Sequence, residues 1–350
     1  MENDSAKLVA GIDLGDSWSH IAVVDGVGEL VREGRLKTTV AGLAGELGGR
    51  DRMRVIVEAG THSPWVARTI TELGHEVVVA NPRRVELIAR SIKKRDESDA
   101  ETLARLGRMD VALLHPIVHR SREAQEALAV IRARRELVEA RTGLVNHVRG
   151  ASKALGVRLP ACDTRYFVRQ SRPHLEGGLG RAHGPLLELM TVVEQKVQGY
   201  DREIERLIGE SYPAARLLQQ VPGVGPLTAL TFILVIDDPS RFRRSRDVAA
   251  YLGLVPRRRQ SGERDPQLGI TKSGDSYLRS LLVESANYIL SSRCKETDLK
   301  RWGVAHLREG DANTRRRVKV ALARKLAVLL HSLWVAGSVY QPCRQEAAIA

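Results

Sequence analysis

Four acidic residues stand where they could share a divalent cation. Asp13 follows the apolar run at residues 8–12, and Glu58 ends a second apolar run at residues 55–57. Asp96 and Asp99 are spaced i, i+3, which puts them on one face of a helix. Carboxylates that converge at one end of a sheet repel one another unless a cation lies between them, and hard oxygen ligands suit Mg²⁺. The pattern predicts a magnesium site for phosphoryl transfer, where metal ions activate the nucleophile and stabilise the leaving oxygen.

Each acid also has an ordinary structural interpretation. Asp13 could cap the turn at the end of its own strand, and Asp96 and Asp99 could simply favour the dipole of a first helical turn. However, an ionised aspartate between two apolar neighbours in a central strand is costly unless it is paired or binds a metal. Taken together, the four acids favour the metal interpretation.

The elements that would position these acids form an α/β layer. Two β-rich runs joined by a short Gly/Asp/Ser connection predict a hairpin around Asp13. An antiparallel hairpin followed by β, α, β, α indicates an α/β layer fold rather than a purely parallel alternation. We predict strands at 29–37, 54–58 and 75–80, helices at 40–47, 65–73, 83–91 and from about 93, and a strand or extended connector at 111–117.

A long helical segment follows at residues 122–155, with apolar residues recurring close to a heptad stripe. Residues 159–184 are rich in Gly, Pro, Arg and His and predict a loop. Residues 185–211 predict a second amphipathic helix, the antiparallel mate of the first. The segment indicates a helical arm or dimerisation coil, and its excess of basic residues is compatible with contact to a nucleic-acid backbone.

Two glycines in Pro222-Gly223-Val224-Gly225 predict a tight turn that leads into a helix. This turn resembles the hairpin of a helix-hairpin-helix, which holds a DNA phosphate at a helix N-terminus without reading bases. A plain turn between two helices is the alternative. On the first interpretation Gly223 and Gly225 contact nucleic acid.

The segment from Arg241 to Arg264 is rich in arginine and holds only two acids, Asp247 and Glu263. So much positive charge requires phosphates or solvent and excludes burial. The predicted nucleic-acid ligands here and just beyond are Arg257, Arg258, Arg259, Arg264, Lys272 and Arg279. Residues 295–350 predict helices that add packing rather than chemistry.

Composition supports a polyanionic partner. The 350 residues carry a formal charge of +13 with a pI near 10.0. No apolar run approaches the roughly 20 residues of a membrane span, and the N-terminus does not resemble a signal peptide. We therefore expect a cytoplasmic, nucleoid-associated prokaryotic protein that binds nucleic acid. Cys162, Cys294 and Cys343 are far apart, which suggests a reducing compartment and no zinc site.

Two sets of motifs resemble one family. Gly-Ile-Asp13-Leu-Gly, Val-Glu58-Ala and the segment 94–100 resemble, in this order, the RuvC-like, ribonuclease-H-type domain of the DEDD transposases. Gly-Leu-Val-Pro256, Ser261-Gly, Ile-Thr-Lys-Ser-Gly274 and Leu-Arg279 resemble the C-terminal domain of the same transposases. The resemblance covers roughly residues 8–295.

This resemblance implies an RNA-guided DNA transposase or recombinase of the bridge-RNA-using insertion-sequence kind. The four acids would hold Mg²⁺, and Ser261 would be the nucleophile; from the residues alone nothing selects Ser261 over Ser273 or Ser276. A structured non-coding RNA would pair with donor and target DNA, in agreement with a chain poor in stacking aromatics. The partners implied are DNA, this RNA and further copies of the chain, as a dimer or tetramer.

We predict three domains on this basis. Residues 1–120 form an α/β ribonuclease-H-like (RuvC-like) metal domain, and residues 121–212 a helical coiled-coil arm with a loop at 159–184. Residues 213–350 form a mainly α transposase domain with a helix-hairpin-helix and the Ser-Gly motif.

Other functions stay open at this point. A junction resolvase would use the same carboxylates without a serine step and would leave hydrolysed nicks. A catalytically inactive binding module would not need the intact set of four acids. Residues 11–17 also resemble the first phosphate loop of actin-like sugar kinases, but the sequence lacks their second Asp-x-Gly loop and adenosine motif at the expected places.

Overall fold

The computed structural model of this chain describes residues 8–82, 96–257, 268–307 and 312–343, with side chains described from Asp99 onward in the segment that begins at Asp96. The chain divides into two compact units between His119 and Arg120. No helix in the described part of the chain is long and apolar enough to cross a membrane.

A five-stranded mixed sheet organises the first unit. Its strands are β1 (Val9–Asp13), β2 (Trp18–Val24), β3 (Leu30–Lys37), β4 (Arg54–Glu58) and β5 (Glu76–Ala80), in the spatial order β3-β2-β1-β4-β5. β1 pairs antiparallel with β2, and β2 with β3, whereas β4 runs parallel to both β1 and β5. The predicted hairpin and the predicted α/β layer are confirmed.

Helices cover both faces of this sheet. On one face, Ile12 and Val57 share an apolar core with residues of α1 (Val40–Leu47) and α2 (Ser63–Glu72). On the other face, Val9 and Ile56 pack with residues of α3 (Asp96–Met109). Successive side chains of a strand point to opposite faces. The residues after Ile12 and Val57 in the chain therefore belong to the α3 face.

A short helical turn occupies part of the segment predicted as a strand or connector. Residues Val111–Leu114 form a 3₁₀ helix, which begins where the Asp110 side chain accepts a hydrogen bond from the Ala112 N–H at 2.8 Å. Only Ile117 then pairs with the sheet in the described structure, through a single bridge to Val79. A strand at this place is wrong, because local capping satisfies these backbone groups first. The helix predicted at 83–91 lies outside the described residues.

Two long helices, α4 (Arg122–Ala154) and α6 (Gly177–Glu210), pair side by side in the second unit. Ion pairs join Arg134 to Asp201 and Arg141 to Glu194, so the two helices run antiparallel. That they act as a coiled-coil arm stays a prediction.

The predicted loop at 159–184 is in large part helical, contrary to expectation. It contains α5 (Phe167–Ser171) between two short 3₁₀ turns, and α6 begins at Gly177, eight residues before the predicted start at Pro185. Phe167 and His183 are buried. Leu187, just after Pro185, is buried as well, so packing on both sides of the proline supports a helix across a residue that would otherwise break it.

The rest of the second unit is mainly helical, as predicted. Its helices are α7 (Ala214–Leu218), α8 (Pro226–Ile236), α9 (Ser245–Tyr251), α10 (Ser276–Ile289), α11 (Asp298–Leu307) and α12 (Ala312–Ala336). Every residue from Thr228 to Ile236 is buried, so α8 is the central helix around which the others pack.

Candidate active site

Asp13 and Glu58 are the last residues of two neighbouring parallel strands. Ile12 pairs with Val57, and each acid comes one residue after this pair. They therefore lie at the same edge of the sheet and on the α3 face, separated by about the 5 Å spacing of adjacent strands. Both residues are half-buried.

Helix α3 brings the other two acid positions to the same edge. A Cβ added to Gly11 would lie 2.0 Å from the Ala100 carbonyl oxygen. Further along the helix, a Cβ added to Gly107 would lie 3.6 Å from the side chain of Val9, two residues earlier in β1. Helix α3 therefore runs opposite to β1, with its later residues over the start of the strand. Its first turn faces the strand ends that carry Asp13 and Glu58.

The positions of all four predicted acids thus share one edge and one face. Asp99 is half-buried on the first turn of α3; the position of Asp96 is its first residue, and the side chain of Asp96 is not described. Among the described side chains, no three His, Cys, Asp or Glu residues are grouped closely enough to hold a metal ion. By type, the donors are hard oxygen ligands, which suit a divalent cation, but the described side chains of Asp13, Glu58 and Asp99 are not grouped closely enough to hold one together.

The strand register extends this edge into a cross-strand row of four residues, Glu58, Asp13, His20 and Arg35. Asp13 pairs with His20 and His20 pairs with Arg35, so they share the α3 face. The Nδ1 atom of His20 is buried and has no hydrogen-bond partner among the described residues. The sequence reasoning missed His20, because its pairing with Asp13 depends on the hairpin turn being centred between Asp16 and Ser17; a turn centred on Asp16 would have placed Ser19 opposite Asp13.

The Pro-Gly-Val-Gly segment forms a tight turn between α7 and α8. Gly223 has φ +82°, and a Cβ there would lie 2.9 Å from the Ser285 carbonyl oxygen, so this glycine is required by the turn. Gly225 has open space where its Cβ would be, and it lines a cavity of about 450 Å³ at the start of α8. Thr228 and the exposed carboxylate of Glu284 line the same cavity.

Two further glycine turns pack backbone to backbone in the C-terminal motif. Gly253 has φ +68°, and its Cβ would lie 2.3 Å from the Ser273 nitrogen; Gly274 has φ +70°, and its Cβ would lie 2.2 Å from the Tyr251 carbonyl oxygen. The Arg257 N–H also donates to the Gly269 carbonyl at 2.9 Å. The residues on either side of the segment 258–267 are therefore held together.

Of the predicted nucleic-acid ligands in this block, the structure describes three. Arg257 and Lys272 are exposed. Arg279 is half-buried, and its guanidinium donates to the Leu252 carbonyl at 3.1 Å and also to the Ser273 carbonyl, so it ties the two glycine turns together. Ser261, Arg258, Arg259 and Arg264 lie outside the described residues.

Helix α12 contributes an arginine surface that the sequence reasoning assigned to packing alone. Arg316, Arg317 and Arg324 line a cleft of about 380 Å³, whose other wall includes Pro256 and Ile270. All three arginines are exposed and form no ion pair within the described part of the chain. The run of three arginines at 315–317, with Arg324 two turns later, was the sequence signal for this surface.

Comparisons with known proteins agree in both halves of the chain. A transposase family model, DEDD_Tnp_IS110, matches residues 10–154, and the model of the transposase IS116/IS110/IS902 family matches residues 215–302. The chain is 31% identical to a probable family 20 transposase of Pseudomonas aeruginosa, over 82% of this chain and 86% of the relative.

Two other relatives cover most of the chain. The transposase for insertion sequence element IS1111A of Coxiella burnetii is 28% identical over 95% of this chain and 91% of its own length. A pilin gene-inverting protein of Moraxella bovis is 25% identical over 80% of each chain.

The mixed sheet and the matched first domain define a DNA-processing enzyme with a ribonuclease-H-like domain of the DEDD type. Such nuclease domains generally use divalent metal ions. The chain belongs to the IS116/IS110/IS902 family of transposases. It is a DNA transposase, an enzyme that cleaves DNA and transfers its strands.

Proposed function

We propose that this transposase cuts and rejoins DNA under the guidance of a structured RNA made by its element. In this proposal Asp13, Glu58, Asp96 and Asp99 hold Mg²⁺, and Ser261 is the nucleophile. The observation that supports it best is that two strand ends and the first turn of α3 direct the four acid positions to one edge and one face of the sheet.

When bound, Mg²⁺ would stabilise negative charge on the oxygens of the reacting phosphate. The chain's own residues do the rest. The Ser261 hydroxyl loses its proton to a base and its Oγ bonds to the phosphorus, while the bond from phosphorus to a deoxyribose oxygen breaks and that oxygen takes up a proton. The phosphoserine link conserves the energy of the broken phosphodiester bond for the rejoining step, in which a deoxyribose oxygen displaces Oγ.

The name of one relative supports strand exchange over simple hydrolysis. A protein that inverts a pilin gene must rejoin the ends that it cuts, and this relative covers 80% of the chain. A serine-linked intermediate provides such rejoining without a further energy source. We therefore prefer a recombinase to a junction resolvase.

Phosphate binding in the second unit would position the DNA and the RNA. The first amides of α8, next to Gly225, have no partner inside the helix and can donate to a phosphate. Gly223 would shape this turn, and the exposed side chains of Arg257 and Lys272 would contact the backbone, with Arg258, Arg259 and Arg264. Arg279 would act by holding the turns in place.

The metal and nucleophile assignments are tested together on the full chain with its element DNA and RNA. Asp13→Asn should abolish divalent-metal-dependent cleavage while DNA binding persists, because the substitution removes a charge that binds metal. Ser261→Ala should also bind DNA but form no protein-linked DNA on a denaturing gel. Ser273→Ala and Ser276→Ala are the matched controls and should still form the link.

Each result separates the alternatives. Unchanged cleavage by Asp13→Asn would eliminate the carboxylate metal site. If Ser261→Ala cleaves DNA to free ends, and the wild-type protein forms no link to DNA, the enzyme is a resolvase. Normal cleavage after removal of the RNA would contradict RNA guidance.

A further inference from the structure

An exposed tryptophan and two basic residues continue the cross-strand row beyond the ends of β1 and β4. Trp18 pairs with Lys37, and both lie two residues along their strands from the His20–Arg35 pair. Because strand residues two apart share a face, Trp18, Lys37 and Arg35 all lie on the face that carries Asp13. The Trp18–Lys37 pair stands about 7 Å outward from the row.

The cationic groups of Arg35 and Lys37 both lie next to the ring of Trp18. The guanidinium carbon of Arg35 lies 5.1 Å from the centroid of the Trp18 ring, and the Nζ atom of Lys37 lies 5.8 Å from it. Neither cation forms an ion pair within the described residues. The ring is therefore held by cation–π attraction while both positive charges stay available to an anion.

Core packing does not account for Trp18. Its side chain is 45% exposed, and it belongs to neither of the two apolar cores that flank the sheet. β3 is an edge strand, so this part of the sheet has no further strand beside it among the described residues. A large aromatic ring fixed at an open edge, with cations next to it, has the composition of a single-strand binding surface.

We propose that Trp18, Arg35 and Lys37 form a platform for the single DNA strand that leads away from the carboxylate edge. A base would stack on the exposed part of Trp18, and the phosphates beside it would contact Arg35 and Lys37. Every base has a π-face, so the platform binds without reading sequence. The proposal rests on the proposed function, because the strand cut at the carboxylates is DNA.

Photochemical cross-linking of the full-length, unmodified protein tests the platform directly. The probe is a single-stranded oligodeoxynucleotide of the element end, carrying 5-iododeoxyuridine at successive positions. The expected result is a cross-link that peptide mapping assigns to Trp18. Cross-links confined to other residues at every probe position would overturn the proposal, and this readout does not depend on how any variant folds.

Binding of the same oligonucleotide to variants supplies the second test. Trp18→Ala should raise the Kd by roughly tenfold or more, whereas Trp18→Phe should keep most of the affinity because a π-face remains. Arg35→Gln and Lys37→Gln should each lower the salt dependence of binding. Arg52→Gln is the matched control: Arg52 is exposed just before β4 begins, at the end of the sheet away from the acids, and should have no effect.

Two outcomes would overturn the platform. One is an unchanged Kd for Trp18→Ala, and the other is a loss of affinity that is confined to RNA of the same sequence, which would make it an RNA surface. These binding measurements are made without divalent metal. If Asp13→Asn were still active, the metal site would be contradicted. The binding data for the platform would remain valid, because they do not depend on that site.

Discussion

The pairing register between β1 and β4 determines whether the Asp13 and Glu58 carboxylates lie on the same face of the sheet. Ile12 pairs with Val57, so Asp13 and Glu58 fall together on the α3 face; a slip of one residue would send one acid to the opposite face. The sequence predicted that both acids end strands. It could not predict their shared face, because that depends on pairing between strands that are far apart in the chain.

Cys294 illustrates how burial controls a single titratable group. It is 3% exposed, and burial is the main reason that the pKa of its thiol is raised, with a further increase from Glu296 against a decrease from Lys300. At neutral pH the thiolate, which is the reactive form, is therefore rarer than in a free cysteine. The half-buried Cys162 and Cys343 are its natural comparison.

We predict that iodoacetamide at neutral pH modifies Cys162 and Cys343 of the native protein well before Cys294, as mass spectrometry of the peptides would show. Because the pKa is raised in the folded state, the contribution of Cys294 to stability is full below its unfolded pKa of about 8.5 and is lost as the pH rises through the folded value. Denaturation midpoints should therefore fall in alkaline buffer. Equal alkylation rates for all three thiols would contradict this assignment.

At the scale of elements, the contact between β1 and α3 depends on the absence of side chains. Gly11 lies against the Ala100 carbonyl, and Gly107 lies against Ile56, closer in both cases than a Cβ allows. These glycines let the helix approach the strand, and so they determine how near its first turn comes to Asp13. The sequence reasoning identified the acids but not the two glycines that position them.

We predict that Gly11→Ala destabilises the protein by about 1–3 kcal/mol and reduces DNA cleavage, because the new methyl group displaces α3. The matched control is Gly45→Ala in the exposed part of α1, where a Cβ meets nothing within 4 Å. Since alanine is the better helix former, Gly45→Ala should be neutral or stabilising by up to about 1 kcal/mol. Thermal unfolding and a cleavage assay measure both effects; a fully active Gly11→Ala enzyme would contradict the proposed link between this contact and the acids.

Elements with strong local signals were predicted well, and those made by tertiary contacts were not. The strand β4 was predicted at its observed bounds, and α4 to within one residue of its end. The beginning of α6 at Gly177 could not be predicted, because Gly and Pro there disfavour a helix until the side chains near His183 are buried. Local propensity gives way where packing is strong.

At the scale of the whole molecule, the formal charge of +13 fits an enzyme that holds phosphate backbones. Charge alone did not locate the binding surfaces. The structure adds a candidate surface on α12, where exposed Arg316, Arg317 and Arg324 line a cleft with Pro256 and Ile270.

We predict that neutralising Arg316 and Arg317 to Gln weakens DNA binding evenly across sequences. The slope of the logarithm of affinity against the logarithm of salt concentration should become shallower by about 0.9 for each phosphate that is no longer neutralised. Affinity titrations between low and moderate salt would measure this slope. The control is Arg122→Gln at the start of α4, an exposed arginine that pairs with Glu126 and should leave the slope unchanged. A wild-type slope in the double variant would exclude this cleft as a phosphate site.

The position of β3 at the edge of the sheet has a consequence for self-association. Its outer backbone groups could accept a strand from another copy of the chain, which is the usual start of aggregation. Arg32, Glu33, Arg35 and Lys37 place charge along most of this strand, and such side chains oppose strand addition. Arg35 and Lys37, which would hold a DNA strand on one face, therefore also help to protect the sheet, when no DNA is bound, from growing at its open edge.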